Sequence, residues 1–455
     1  MNQNQKNNKP DVRVMAMQSQ GLFGEIDTPG DKSISHRCVI LSSLAIGESK
    51  IIGILNSSDI SCTINAMRSL GSDINLQPDM CTINGIGIGS LAEPKKPLDF
   101  GNSGTAARLI MGLVASHPIS SVFVGDESLS KRPMRRVVDP LLGFGAEFDL
   151  KDSEFLPVTI KGSNLPIPIS YDMPIPSAQV KSAILFAGLN TPGVTSIFEV
   201  QKTRDHTEKL LDFYGYNVDI KENAEGTKIS IVGQQELRPV NINIPGDPSS
   251  AAYPVIAGLV CKNSNVTIKN VLNNPTRDGL YKSLIEMGAN IEFLNERSNA
   301  GEKVHDILVK SSSLKAIEVS AKRAPSMIDD YPALAVAASV AKGVSIFRGL
   351  SELRVKESDR LAGIKYFLEI NGVEASISND DLIIKGNPSG IKGGGLVKTS
   401  LDHRIAMSSL ILGLASDNPV YIDDSETINT SFPGFIDLMN KLGARLEVLE
   451  LDSDS

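Results

Sequence analysis

The chain has 455 residues, with 45 Lys and Arg against 53 Asp and Glu, a formal net charge of −8 and four cysteines. That length admits two domains, each with a full core. The acidic balance without a basic tail speaks against a nucleic-acid partner, and the apolar segments are too short for a membrane span. The polar start Met1–Pro10 has no signal-peptide core. The cysteines show neither CxxC spacing nor a disulfide framework, and the five histidines have no paired spacing. A cytoplasmic protein without a bound metal is expected.

In chain order, a strand near Asp11–Met17 comes first. An almost wholly apolar helix follows over Ile34–Ala45, then a β-branched strand over Lys50–Leu55, then an amphipathic helix that stops at Gly71. The same order of events recurs along the chain. Apolar helices are predicted over Ala106–Ala115, Ala178–Leu189, Ser249–Val260, Tyr331–Ala341 and Ile405–Ala415, and strands over Ser121–Val124, Thr195–Val200 and Val266–Val271. Amphipathic helices stop at Gly145, Gly215, Gly288, Gly372 and Gly443, so the glycine spacings are 74, 70, 73, 84 and 71. Each glycine stands where a helix needs a left-handed cap. A period of this length means one supersecondary unit copied six times. Helices that are apolar all round are buried. The predicted fold is α/β: two inside-out domains of three units each, with buried helices inside and strands plus amphipathic helices outside.

Thr28-Pro29-Gly30-Asp31 and Ile244-Pro245-Gly246-Asp247 lie 216 residues apart and fall where three units end and three begin. Pro-Gly pairs make turns. Hinge crossings are therefore expected near 29–31 and 245–247, with residues 30–245 forming one domain and 1–29 plus 246–455 the other. The first strand would belong to the half that holds both termini.

Polar chemistry gathers where the apolar helices begin: Gly30-Asp-Lys32-Ser33-Ile-Ser-His-Arg37, Gly101-Asn-Ser-Gly104-Thr-Ala-Ala-Arg108, Pro176-Ser177-Ala178-Gln179, Ile328-Asp329-Asp330 and Asp402-His403-Arg404. Helix starts present free N–H groups and attract anions. Basic residues also open the amphipathic helices, at Lys131-Arg132, Thr203-Arg204 and Arg354-Val-Lys356-Glu357-Ser-Asp-Arg360. An acidic chain that places Lys and Arg at so many helix starts is building an anion pocket between its halves. Singly, each motif reads as a capped helix start. Asp329 and Asp330 read as N-caps, Asp205-His206 as a helix start, Arg277-Asp278 as a solvated cap, and Cys38 as an inert core thiol. Their recurrence at equivalent repeat positions favours the functional reading. The cationic groups fall on both halves, so without an anion the halves would repel.

Pro29-Gly-Asp-Lys-Ser-Ile-Ser-His-Arg37, Gly101-Asn-Ser-Gly-Thr-Ala-Ala-Arg108, Leu353-Arg-Val-Lys-Glu-Ser-Asp-Arg360 and Asp402-His-Arg-Ile-Ala-Met407 resemble the signatures of the 5-enolpyruvylshikimate-3-phosphate synthase family. The resemblance runs from about Met15 to Val448. Ser177-Ala-Gln-Val-Lys-Ser-Ala, Arg204-Asp-His-Thr-Glu-Lys and Met327-Ile-Asp-Asp-Tyr-Pro are similar to a bacterial branch that includes glyphosate-tolerant members. The family transfers the enolpyruvyl group of phosphoenolpyruvate to the 5-hydroxyl of shikimate 3-phosphate in the shikimate pathway, and is the target of glyphosate. By this resemblance Asp329 takes the hydroxyl proton, Glu357 handles the methylene proton, and Lys32 bridges the substrates. Lys32, Ser33, Arg37, Ser177, Ala178, Gln179, Arg204, Asp329 and Lys356 would bind shikimate 3-phosphate. Lys32, Gly104, Arg132, Gln179, Arg360, His403 and Arg404 would bind phosphoenolpyruvate. No metal or organic cofactor is implied, because the leaving group is already on the substrate, and a monomer is expected. Two departures stand out. Asn429-Thr-Ser-Phe-Pro433 lacks the lysine that many members carry there, and Gly104 is retained where the tolerant branch often has alanine.

The sister transferase acting on a UDP-aminosugar would show a Lys-Asn start and a loop cysteine. Here Ser33 follows Lys32, and Val122–Arg136 contains no cysteine. A non-catalytic anion-binding repeat protein would have no need for a paired acid and base such as Asp329 and Glu357.

Overall fold

The computed structural model of the chain describes residues 13–78, 80–150, 154–299 and 301–449; Met1–Pro10 and Asp11 lie outside the described residues. The repeat is visible as six four-stranded sheets built in one order. In the third unit Ser170–Asp172 runs parallel to Val194–Glu199, which pairs antiparallel with Gly226–Val232, which pairs antiparallel with Val218–Asn223. Three sheets are completed from far along the chain, one of them by Phe23–Asp27, the parallel edge to Asn265–Leu272 of the fourth unit. Asn241–Asn243 adds the parallel edge to Ile46–Ile52 of the first unit. Arg13–Met17 lies between Val420–Ile422 and Arg445–Leu449 of the sixth. The strand predicted at Lys50–Leu55 begins earlier, at Ile46, because the preceding helix runs directly into it, and it ends before Gly53 at φ +70°.

The six amphipathic helices are Ser58–Ser69, Arg135–Leu142, His206–Phe213, Gly279–Glu286, Arg360–Ile370 and Phe435–Lys441. The glycine that follows each has φ between +79° and +109°. In five of the six units the next residue's N–H returns to the helix, as from Ser72 to Met67 O (3.0 Å) and from Ala289 to Leu284 O (3.0 Å). This is the bond that closes a Schellman cap, and the left-handed residue it requires explains the glycine.

The inner helices are Lys32–Leu44, Gly104–Ala115, Ala178–Leu189, Pro248–Val260, Tyr331–Ser339 and His403–Leu414. From its second turn onward each is buried on nearly all sides, with Arg108 and Val260 partly exposed. The fifth ends two residues before the predicted Ala341, whose N–H closes a tighter turn on Ala338 O at 3.2 Å. Small residues let these helices meet at backbone distance: a Cβ on Gly112 would lie 2.1 Å from Ala183 O. Two separate cores result. One contains buried residues from Ile34 to Ile244 together with Leu272, and the other draws on Val14–Ile26 and Ala251–Leu446. Cys38 is buried in the first core, and burial pushes its thiol up to about 12.

The two Pro-Gly segments meet. Asp31 N–H donates to Pro245 O (2.8 Å), Asp247 N–H donates to Pro29 O (2.9 Å), and Gly30 bridges Gly246. A Cβ on Gly30 would lie 2.0 Å from Gly53 O, so the close approach admits no other residue.

Candidate active site

Inner helices from both halves point their N-termini into a cavity of about 420 Å³, and every site residue named from the sequence lines it. The Asp31 side chain caps the first inner helix by accepting Ile34 N–H at 2.8 Å, which turns Lys32 and Ser33 toward the cavity. Lys32 Nζ is 2.6 Å from Asp59 Oδ2. One turn deeper, Arg37 is fixed by Thr207 Oγ1 (2.6 Å), Ser182 Oγ (2.7 Å) and Ser33 O (2.9 Å). Ser103 and Ser177 cap the next two helices, bringing Gly104, Ala178 and Gln179 to the wall. Gln179 is held at both ends: its Oε1 accepts from Arg108 (2.9 Å) and its Nε2 donates to Thr105 (3.0 Å).

The opposite wall carries the carboxylates. Asp329 receives Lys356 Nζ (3.2 Å), Arg360 Nη1 (3.1 Å) and Arg204 Nη2 (2.8 Å). Burial alone would raise its carboxyl, but the charges of Lys356, Arg204, Arg404 and Arg360 outweigh burial and hold it well below the usual range. Glu357 contacts Arg360 and lies 3.6 Å from Arg132. Against its burial, the charges of Arg360, Arg132 and Lys32 hold its carboxyl low as well. His403 is pushed well below its ordinary value by burial and by Lys32, so it is neutral; its Nδ1 sits 3.2 Å from Thr430 Oγ1. Asp330 occupies the N-cap position of its helix but makes no capping bond, and instead pairs with Arg404 at 3.2 Å. Asp402, by contrast, caps the last inner helix and accepts Arg360 Nε at 2.8 Å.

Simple repulsion between the halves does not describe this cleft. Carboxylates interleave with the cations across it: Arg204 meets Asp329, Arg132 faces Glu357, and Arg136 forms a two-pronged pair with Glu352 at 2.9 and 3.0 Å. Arg277 is no solvated cap either. It is 3% exposed and bonds Asp31 and Asp247 at 3.0 Å each. Asp205, His206 and Glu302 bring potential ligand atoms within 4.8 Å of one another. Those atoms already face N–H donors: Asn274 on Asp205 (2.7 Å), Lys209 on Glu302 (2.7 Å) and Arg277 against His206 Nε2 (3.3 Å).

Asp59, Arg108, Arg136, Glu352 and Arg277 line the cavity without having been assigned a role from sequence. One signal was available: Thr203-Arg204-Asp205 returns as Thr276-Arg277-Asp278, 73 residues on, the same spacing as Gly215 to Gly288. Asp59 had none, since it is a lone acid in the first turn of a helix.

The family model described as EPSP synthase (3-phosphoshikimate 1-carboxyvinyltransferase) matches residues 17–439. A 3-phosphoshikimate 1-carboxyvinyltransferase of Chelativorans sp. is 52% identical over 96% of this chain and 98% of its own length. One from Parvibaculum lavamentivorans is 49% identical over 95% and 96%. The structure of an EPSP synthase from Acinetobacter baumannii superimposes with a TM-score of 0.85 at 39% identity, covering 96% of this chain and all of the other. The chain therefore belongs to the EPSP synthase family, and is an enolpyruvyl transferase of the shikimate pathway that moves the carboxyvinyl group of phosphoenolpyruvate onto shikimate 3-phosphate.

Proposed function

We propose that the reaction proceeds by addition and elimination in this cavity, with Asp329 and Glu357 as the proton-transferring groups. The observation that supports this most is the placement of these two carboxylates among Lys32, Arg132, Arg204, Lys356, Arg360 and Arg404, gathered from both sides of one cavity. Both substrates carry a carboxylate and a phosphate, which Arg binds in a planar fork and Lys as a point charge.

In the addition, Asp329 accepts the proton of the shikimate 5-hydroxyl. The oxygen bonds to C2 of phosphoenolpyruvate while C3 takes a proton from Glu357. In the elimination, C3 returns that proton, the C2–O bond to phosphate breaks, and phosphate leaves. Glu357 is ionised while Arg132 and Arg360 face it. An anionic substrate that shares those cations raises its carboxyl toward a value at which it can carry the proton. Lys32, beside both binding regions, offsets negative charge that develops on the phosphate oxygens as the C2–O bond breaks. Ser33, Arg37, Ser177, Ala178, Gln179, Arg204 and Lys356 hold shikimate 3-phosphate. Gly104, Arg132, Gln179, Arg360, His403 and Arg404 hold phosphoenolpyruvate.

The seam between domains is placed at 29–31 and 245–247, and the enzyme acts as a cytoplasmic monomer without a metal or organic cofactor. Phosphate release is the direct test. It is expected only when both substrates are present, and it should be unchanged by a chelator. Release from phosphoenolpyruvate alone, or loss of activity to a chelator with recovery on adding metal, would overturn the scheme.

A further inference from the structure

We infer that Arg277 is a positioning residue for the transfer reaction: it clamps both interdomain crossings and thereby sets the place of Lys32. The inference rests on the role of Lys32 proposed above.

Arg277 Nη1 donates to Asp31 Oδ2 (3.0 Å), while Nη2 donates to Asp247 Oδ1 (3.0 Å) and Ser249 Oγ (3.0 Å). Its two carboxylate partners are the N-caps of the inner helices that begin at the two crossings. Each cap therefore serves its helix with one contact and the clamp with another. Asp31 Oδ1 accepts Ile34 N–H (2.8 Å), and Asp247 Oδ1 accepts Ser249 N–H (2.8 Å). The second oxygen of Asp247 accepts the backbone N–H of Lys32 at 3.1 Å. Lys32 is thus held at two points from opposite sides. Its main chain is tied to Asp247, which begins a helix of one core, and its side chain to Asp59 (2.6 Å), which belongs to the other. The position of its ammonium in the cavity then depends on the relative placement of the two crossings, which Arg277 fixes.

Only a guanidinium suits this task. Its fork reaches two carboxylates at once, whereas an ammonium on a flexible stem is a single point charge. The side chain is 2% exposed, so water cannot substitute for it. His206 supports the clamp from behind. Arginine has no acceptor, so the contact with His206 Nε2 at 3.3 Å makes that nitrogen the acceptor. Nδ1–H then donates to Glu302 at 2.8 Å.

The test compares Arg277→Lys with Glu302→Gln. The second disturbs the same buried network but touches neither crossing. For each, thermal unfolding, shikimate 3-phosphate affinity by calorimetry, and kcat well below Tm are measured. Expected for Arg277→Lys are a folded protein, kcat lower by about tenfold or more, as for displaced catalytic groups, and a rise in Kd for shikimate 3-phosphate smaller than the fall in kcat. Glu302→Gln should lower Tm and keep kcat. Should Arg277→Lys fail to fold, Asp247→Asn carries the same comparison. Parental kcat in the clamp variants, or an equal loss in Glu302→Gln, overturns the inference. A parent protein that releases no phosphate with both substrates would instead defeat the catalytic scheme, so the two failures are distinguishable.

Discussion

Three cations converge on Asp329, and the surplus of positive charge around it and Glu357 governs how both titrate. Each carboxyl sits below its usual value, near 4 in an unfolded chain, despite burial. Their ion pairing stabilises the fold above that pH and is lost as pH falls through the lower folded values. Asp329 is ionised at neutral pH, so under the proposed scheme kcat/KM should show no acid limb from it between pH 6 and 8. An acid limb there that persists in Glu357→Gln would assign the base to another group. Asp329→Asn and Glu357→Gln keep side-chain size and remove the titrating group. Each should lose about 10²–10⁴-fold in kcat while retaining substrate binding, because one general acid–base contribution has that size; near-parental turnover in either would remove its assigned role. At Gly104 the constraint is steric. A methyl there would meet Arg108 Nη1 at 2.8 Å and Arg132 Nη1 at 3.2 Å, so those guanidinium groups must give way. Glyphosate is expected to compete with phosphoenolpyruvate. Gly104→Ala should raise its inhibition constant more than the KM for phosphoenolpyruvate, since a clash discriminates against the longer molecule. Equal inhibition constants in parent and variant would show that this position does not discriminate.

Glycine serves the elements in two distinct ways, and stability measurements can separate them. Gly288 ends its helix at φ +88°, and an added Cβ would meet nothing closer than Ser313 O at 4.0 Å. Its requirement is purely conformational, and Gly288→Ala should cost about 1–2 kcal/mol, the left-handed penalty for a residue with a Cβ. Gly112 lies inside a helix, where glycine is a poor former, and is needed because Ala183 O would lie 2.1 Å from a Cβ. Gly112→Ala gains helix propensity of about 1 kcal/mol, yet its Cβ would meet a backbone oxygen at 2.1 Å, which puts the cost of forcing two packed helices apart above the usual overpacking range of about 1–3 kcal/mol. Denaturant unfolding should therefore find Gly112→Ala the more damaging change, with Gly288→Ala keeping full activity. The reverse order would mean that the inner helices can slide apart freely.

For the whole molecule, attraction across the cleft competes with ligand binding. Arg136 and Glu352 form a two-pronged pair at the cleft, with side chains 37% and 38% exposed. A pair so placed contributes about 0.2–1 kcal/mol, a shift of about 1.4- to 5-fold in a closed-to-open ratio. Glu352→Gln should enlarge the ligand-free radius of gyration measured by small-angle scattering, and high salt should do the same to the parent. Shikimate 3-phosphate should return both to one scattering curve, since the anion then bridges the cations of the two halves. Identical ligand-free curves for parent and variant would mean that packing at the crossings, rather than charge, holds the cleft.

Local chemistry made the repeat legible from sequence. A left-handed cap demands glycine, and a helix buried on all sides demands apolar residues. Those requirements act within a few residues, so Gly71, Gly145, Gly215, Gly288, Gly372 and Gly443 and the six inner helices could be read directly. The family resemblance supplied the roles of residues lining the cavity, and many of these could be pointed to because they sit at helix starts. What faces them could not. Arg136 meets Glu352 across 216 residues, and Arg277 meets Asp31 across 246. A lone charged residue at a helix start is equally compatible with a solvated cap, and only packing decides its exposure. Thr203-Arg204-Asp205 and Thr276-Arg277-Asp278 make the point: the same tripeptide in neighbouring units sends one arginine to Asp329 in the cavity and the other to the crossings. Sequence determined the unit and its caps because those are set by backbone conformation and hydrophobic period. The tertiary structure decided which charge meets which, because that depends on how two cores assembled from distant parts of the chain come together.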